Sequence, residues 1–284
     1  MKRVIITGGN SGIGYQVAKQ LAEKGWSVTL FCRREEAAEQ ACEEIRQQTG
    51  NRHVDYILVD LSDMKSVRKA AEQYIQKEDV LDVLINNAAD FDLSVKKPIL
   101  TKDGLEKQFA TNVAAPFLLS ILLKGLLEKS ESGRIINISS QGLMLYPFMQ
   151  LDFENLSGQK RYSPAKTYYQ NKLALLMLSL YTREHWKGIK IQAIRVTNVK
   201  VDMSRYNHLS AFMKNLYKIK SRLSISPEEM AKVYTALSTE DLYEGFLYDE
   251  KCREVKANAP AYEEEEQEKL YFLLEQLSFS RDNS

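Results

Sequence analysis

The chain has 284 residues, 27% of them charged, and its 39 Lys and Arg against 38 Asp and Glu leave a formal net charge of +1. So close a balance provides no broad field for a nucleic-acid backbone, and nucleic acid is excluded as an expected partner. The three scattered cysteines, Cys32, Cys42 and Cys252, suit neither a disulfide framework nor a zinc site. No metal is expected, and a reducing, cytoplasmic compartment fits best.

The first segment, Val4-Ile5-Ile6, is a short apolar run with no charged leader or cleavage site before it, so no signal peptide is expected. Strand-like runs follow at Arg3–Thr7, Ser27–Cys32, Val54–Asp60, Val80–Asn86, Arg134–Ser139 and Lys190–Val196, alternating with helical patterns. This alternation predicts βαβ units and a parallel sheet. Val83-Leu84-Ile85 and Ile135-Ile136 are apolar without alternation, which places helices on both faces of that sheet. The expected architecture is therefore a single α/β domain over residues 1–284, a three-layer, doubly wound parallel sheet of the Rossmann type.

Among the helices, 37–48 reads as solvent-facing, whereas 114–127 and 173–181 are more apolar than burial on one side requires. A homodimer or homotetramer is expected to cover them. The run Val113–Leu123 is too short to span a bilayer and reads as a buried helix, so no membrane is expected. Ser226-Pro227-Glu228-Glu229 combines a capping serine, a first-turn proline and a Glu three residues after the cap, which starts a helix. A last helix, about 262–278, has an acidic first turn and an apolar stripe of Leu270, Leu273, Leu274 and Leu277.

Between the first strand and the first helix lies Thr7-Gly8-Gly9-Asn10-Ser11-Gly12-Ile13-Gly14. Glycines there allow a tight turn and close approach of backbone N–H groups to a pyrophosphate, which a helix N-terminus also attracts. At the end of the second strand stands Cys32-Arg33-Arg34, where an NAD site would offer a carboxylate to the ribose diol. A guanidinium at Arg33 selects for the 2′-phosphate, so NADP(H) is the expected cofactor.

With these pieces in order, the sequence resembles the short-chain dehydrogenase/reductase family, in its retinol-dehydrogenase-like branch. The matching segments are Thr7–Gly14, Cys32-Arg33, Asp60-Leu61, Asn86-Asn87-Ala88, Asn112, Ile138-Ser139-Ser140, 153–156 with Tyr162-Ser163-Pro164, and Tyr168-Tyr169-Gln170-Asn171-Lys172. The resemblance implies a catalytic set of Asn112, Ser140, Tyr168 and Lys172. Tyr168 would exchange a proton with the substrate oxygen, Ser140 polarise the carbonyl, and Asn112 hold the lysine through water. Tyr168 and Lys172 are four apart and share a helix face, where an ammonium would lower a phenol that otherwise titrates near 10. Tyr169, three before the lysine, does not fit that spacing. The implied cofactor set is Gly8, Asn10, Ser11, Gly12, Ile13, Gly14, Arg33, Asp60, Leu61, Asn87, Ala88, Tyr168, Lys172 and Val199, with Asn86 also beside the cleft.

The chain departs from the family where a Pro-Gly pair and a carboxamide-binding threonine are usual: Val196, Thr197 and Val201 stand there. Ala89 and Ala115 also replace usual glycines. The expected function is an NADP(H)-dependent oxidoreductase interconverting a carbonyl and an alcohol on a small, hydrophobic molecule. The alternative is a nucleotide-binding sensor or partner protein with little turnover; a sugar-nucleotide epimerase is a weaker third, because little chain remains after Val196 for a large substrate domain. Substrate choice is assigned to the loop 203–223 and the insertion 143–163, where Tyr146, Phe148, Met149, Tyr206, Phe212 and Met213 suggest an apolar pocket.

Overall fold

The apolar runs recognised in the sequence pair with one another to form one sheet in the computed structural model, which describes residues 1–200 and 224–279. Its strands are β1 (Arg3–Thr7), β2 (Ser27–Cys32), β3 (Val54–Leu58), β4 (Val83–Asn86), β5 (Arg134–Ser140), β6 (Lys190–Val196) and β7 (Leu247–Tyr248). All are parallel, in the order β3-β2-β1-β4-β5-β6-β7. The chain reverses direction of travel across the sheet between β1 and β4, which opens a crevice at the carboxyl ends of those strands. Strands β3 and β4 are shorter than expected, and β7 was not anticipated: two residues are too few to carry a periodic signal.

Alternate side chains feed two separate apolar layers. Val4, Ile6, Val28, Leu30, Ile136 and Ile194 face a layer closed by α1 (Gly12–Glu23), α2 (Glu35–Thr49) and a helix at Pro227–Thr239. Ile5, Phe31, Leu84, Ile135 and Ile191 face the other side, closed by α3 (Met64–Lys77) and a helix at Ala115–Glu128. That second helix, α5, is entered through a short turn, α4 (Lys107–Phe109), and a π-helical turn at Ala110–Ala114. The long α6 (Pro164–His185) lies on the same side, the Pro227–Thr239 helix is α7, and the terminal helix is α8 (Glu264–Phe279).

The capping pattern is met: the Ser226 hydroxyl accepts from Glu229 N at 3.0 Å. At the start of α3 the Asp63 carboxylate accepts from Lys65 N at 2.9 Å and Ser66 N at 3.2 Å. Each bond satisfies a backbone donor that the helix itself leaves open.

The leucine-rich faces from which a partner subunit was expected are covered by the chain's own helices. Leu118, Leu119, Leu123 and Leu126 of α5 share a buried cluster with Val67, Ala70, Ala71 and Tyr74 of α3. Leu173, Met177 and Leu180 of α6 are buried with Leu270 and Leu274 of α8. Tyr271 meets Phe117 edge-on at 5.3 Å and lies 4.5 Å from the Tyr181 ring. The apolar excess therefore needs no second subunit to explain it. The continuous helical stretch Lys107–Glu128 is longer than the run read from sequence, and is long and apolar enough to cross a membrane. In this fold, however, 72% of its most apolar stretch is buried inside the protein.

Because Leu274 is only 1% exposed at the α6–α8 contact, Leu274→Ala should cost about 2–5 kcal/mol, the range for a buried leucine. Urea unfolding of the full chain checks this. A loss below about 1 kcal/mol would mean that the site collapses freely or that α8 is not docked as described.

Candidate active site

The first turn of the crevice depends on glycines for two different reasons. Gly8 and Gly12 adopt φ of +63° and +58°, a left-handed backbone that other residues resist. Gly14 is needed for space: a Cβ there would lie 2.5 Å from Gly8 O and 2.6 Å from Asn87 Nδ2. Asn87 Nδ2 donates to Thr7 O at 2.9 Å, and Ala88 N donates to the Thr7 hydroxyl at 2.9 Å. These bonds strap the exit of β4 to the glycine loop and fix the width of the crevice. Ser11 is the N-cap of α1 but makes no capping bond through its side chain. Nothing lies within 4 Å of where a Cβ on Gly12 would be. A helix N-terminus without a side-chain cap, beside an open glycine, has the donors and the room for a pyrophosphate. Ile13, next to Gly12 in the first turn of α1, packs on the layer beneath.

Eight residues of the expected nucleotide set line one cleft. Gly8, Asn10, Ser11, Arg33, Asp60, Leu61, Asn87 and Ala88 all border it. Arg33 is exposed and forms no ion pair with the described residues. Asp60 is committed locally, its Oδ1 accepting from Ser62 N at 2.9 Å and from the Ser62 hydroxyl at 2.7 Å. Burial pushes the Asp60 carboxyl up, but the Ser62 bonds and then the Arg33 charge hold it below its ordinary value. Asn86 is placed differently from the family expectation. It is 2% exposed, and its Nδ2 donates to Asn137 Oδ1 at 2.8 Å, so it joins β4 to β5 inside the sheet.

At the crevice's other end stand the four expected catalytic residues. Ser140 is the last residue of β5, pairs with Val196, and its Oγ accepts from Gly142 N at 3.2 Å. Its hydroxyl proton can still be donated to a substrate oxygen. Tyr168 and Lys172 are one turn apart on α6. Lys172 is only 2% exposed; its Nζ donates to Ile138 O at 2.7 Å and lies 5.5 Å from the centre of the Tyr168 ring. Burial pulls the Lys172 ammonium down to about 8. Asn112 sits in the π-helical turn, a local widening often found at functional sites. Its Oδ1 accepts from Asp90 N at 2.7 Å and its Nδ2 donates to Asp90 O at 2.9 Å. Asn112 thus holds the cleft wall at Asp90, and no direct bond joins it to Lys172.

Aromatic rings surround the phenol. Phe91 lies 4.2 Å from the Tyr168 ring, Tyr169 lies 5.3 Å from it, and Tyr146 lies 5.1 Å from Tyr169. Gly142 makes this possible, since a Cβ there would come within 2.3 Å of the Tyr169 hydroxyl. Phe91 was missed by sequence reading, for it lies in an irregular segment with no spacing to mark it. Of the suggested substrate residues, Tyr146 joins this cluster and Met149 packs against the α6 layer, whereas Phe148 is 87% exposed. Tyr206, Phe212 and Met213, with the loop 203–223, lie outside the described residues, as does Val201.

Where the Pro-Gly pair is absent, a different join is present. Val196 ends β6 in register with Ser140, and the Thr197 hydroxyl donates to Gln141 Oε1 at 2.6 Å. Val199 then bridges to Ile225, with Lys200 N donating to Ile225 O at 2.9 Å. Gln141 was not singled out from the sequence. Its bond to Thr197 ties the exit of β5 to that of β6 beside Ser140.

Comparison with known proteins bears on the family and the fold. The family model described as short chain dehydrogenase matches residues 2–211. Human retinol dehydrogenase 13 is 36% identical over 277 residues, covering 94% of this chain and 80% of its own length. Human retinol dehydrogenase 14 is 32% identical over 292 residues, covering 96% and 85%. Among solved structures, a protein from Mycobacterium paratuberculosis superposes with a TM-score of 0.70 at 26% identity, over 98% of this chain and 93% of that one. A short-chain dehydrogenase from Sphingobium yanoikuyae, in complex with NADPH, has the same fold, with a TM-score of 0.65 at 20% identity over 88% and 87%. With the family model spanning most of the chain and relatives above 30% identity along nearly all of it, the chain belongs to the short-chain dehydrogenase family of oxidoreductases, in its retinol-dehydrogenase-like branch.

Proposed function

We propose that this protein uses NADP(H) to interconvert a carbonyl and an alcohol on a small, hydrophobic substrate. The observation that carries the reading is the buried Lys172 ammonium one helical turn from Tyr168, with Ser140 at the adjacent strand end. The α1 N-terminus and Gly8–Gly14 would hold the pyrophosphate, Arg33 the 2′-phosphate, and Val199 with Tyr168 and Lys172 the nicotinamide half. When bound, the nicotinamide supplies or accepts the hydride at the substrate carbon.

In the reductive direction negative charge develops on the substrate oxygen. The Ser140 hydroxyl donates a hydrogen bond to that oxygen, and the Tyr168 phenol delivers the proton that makes the alcohol. The Lys172 charge favours the phenolate left behind, and lowers the Tyr168 pKa toward neutral pH. Phe91, Tyr146 and Tyr169 exclude water and offer an apolar surface to the substrate. The curated relatives carry the name of retinol, an apolar alcohol, which agrees with a substrate of that polarity without fixing its identity.

NADPH oxidation with a panel of apolar aldehydes and ketones tests the reaction. Tyr168→Phe should lower turnover by roughly a hundredfold or more, the scale of lost acid catalysis, while Tyr169→Phe should do far less. Equal rates for Tyr168→Phe and the unaltered protein would overturn the assignment. Absence of turnover across the panel, with NADPH still bound, would favour the nucleotide-sensor reading, in which Val196 and Thr197 have ended catalysis.

Cofactor choice is tested by titrating NADPH and NADH. The unaltered protein should prefer NADPH, and Arg33→Asp should weaken NADPH by about 10- to 100-fold, the worth of a charge-assisted hydrogen bond. Equal affinity of the unaltered protein for both cofactors would contradict the role of Arg33.

A further inference from the structure

Five buried side-chain polar atoms among the described residues have no hydrogen-bond partner: Asn86 Oδ1, Gln108 Oε1, Asn171 Nδ2, Gln192 Oε1 and the hydroxyl of Tyr234. Asn86, Gln108 and Gln192 are bonded through their other amide atom. Tyr234 has one polar atom only, and that atom is the orphan. The residue is 0% exposed on α7. Leaving a buried hydroxyl unpaired costs about 1–3 kcal/mol. Phenylalanine would fill nearly the same volume without that cost, so the hydroxyl calls for a partner that the polypeptide does not supply.

The direction in which it points follows from the placement of α7. The helix starts just past Ile225, which bridges Val199 beyond the carboxyl end of β6. It ends at the opposite edge of the sheet, where Arg134 at the amino end of β5 donates to Leu237 O and Glu240 O, both at 2.8 Å. The helix therefore runs antiparallel to the strands, and a helical side chain leans toward its helix N-terminus. Tyr234 thus leans toward the carboxyl edge, where the active site lies. It belongs to the apolar cluster that includes Ile138, with Ile13 of the glycine-loop turn and Val196 and Val199 of the β6 exit packed against it. The carbonyl of that same Ile138 receives the Lys172 ammonium. Burial, and after it the charge of Tyr168, raises the Tyr234 phenol above its ordinary value.

We propose that the Tyr234 hydroxyl is a hydrogen-bond partner, directly or through one water, of the carboxamide on the nicotinamide ring. The proposal rests on the nicotinamide cofactor reading given above. It also gives a reason for the sequence's departure at position 201. A valine there cannot make the bond that a threonine makes in the family, and a donor rising from α7 beneath the ring replaces it. Tyr234 is then a cofactor-positioning residue with no part in the proton transfer.

The test uses the full chain, unaltered and as Tyr234→Phe, with three measurements. NADPH affinity is read from nicotinamide fluorescence, affinity for 2′,5′-ADP by calorimetry, and the melting temperature of the ligand-free protein by circular dichroism. The expected result is an about three- to tenfold loss of NADPH affinity, unchanged 2′,5′-ADP affinity, and a melting temperature no lower than that of the unaltered protein. Unchanged NADPH affinity in Tyr234→Phe would overturn the proposal. So would an equal loss for 2′,5′-ADP or a lowered melting temperature, because either marks a structural role. If the unaltered protein bound 2′,5′-ADP but its NADPH affinity were no greater, the nicotinamide half would contribute nothing and the proposal would fall with the adenosine end intact. If it bound neither, the cofactor reading itself would fail and the proposal with it.

Discussion

An ammonium held inside the protein, bonded to the carbonyl of Ile138, is the constraint around which this site is arranged. Burial pulls the Lys172 ammonium down to about 8, and Ile138 O accepts a hydrogen bond from it at 2.7 Å. A desolvated cation favours any nearby group that can become negative. The phenol one turn away on α6 is that group. The Lys172–Ile138 bond ties α6 to β5, the strand that ends at Ser140. The lysine's burial therefore couples helix placement, strand register and acid–base chemistry.

The two ends of the crevice are held by different means. At the proposed nucleotide end the main chain would do the binding, and the restraints there are glycine conformations and the bonds of Asn87 and Ala88 to Thr7. At the other end, where the proposed chemistry falls to side chains, those side chains are fixed by packing. Tyr169 fits only because Gly142 has no Cβ, and Phe91 lies against Tyr168. The π-helical turn joins the two ends, since Asn112 within it holds the backbone of Asp90 on the cleft wall. Where the family's Pro-Gly pair is absent, the Thr197–Gln141 bond joins the β6 exit to that of β5.

Much of this was legible in the chain itself. Strands buried on both faces announce themselves as unbroken apolar runs, and Ser226-Pro227 marks a helix start whatever the surroundings. The tight glycine loop was equally plain, because a left-handed backbone and close approach can be met by few residues. What was hidden depends on long-range neighbours. Phe91 reaches Tyr168, and Gln141 meets Thr197, across separations of 56 or more residues. The apolar excess of α5 and α6 suggested a second subunit, yet periodicity shows only that a face needs cover, and α3 and α8 provide it. Asn86 shows the same limit from the other side, for its family position suggested the cleft and its bonds run inside the sheet. Tyr234 looked like one more core residue on a helix, and only the lack of a partner for its hydroxyl distinguishes it.

The central claim is that Lys172 acts through its charge on Tyr168, and the pH dependence of kcat/KM for carbonyl reduction measures this most directly. Reduction needs the protonated phenol, so the rate falls as pH rises through the apparent pKa of the coupled pair. Lys172→Met removes the charge while filling similar space. The account predicts a lower plateau and a descending limb displaced to higher pH, toward the ordinary tyrosine value near 10. A descending limb left in place, with the plateau alone reduced, would show that the lysine supports the fold without tuning the tyrosine.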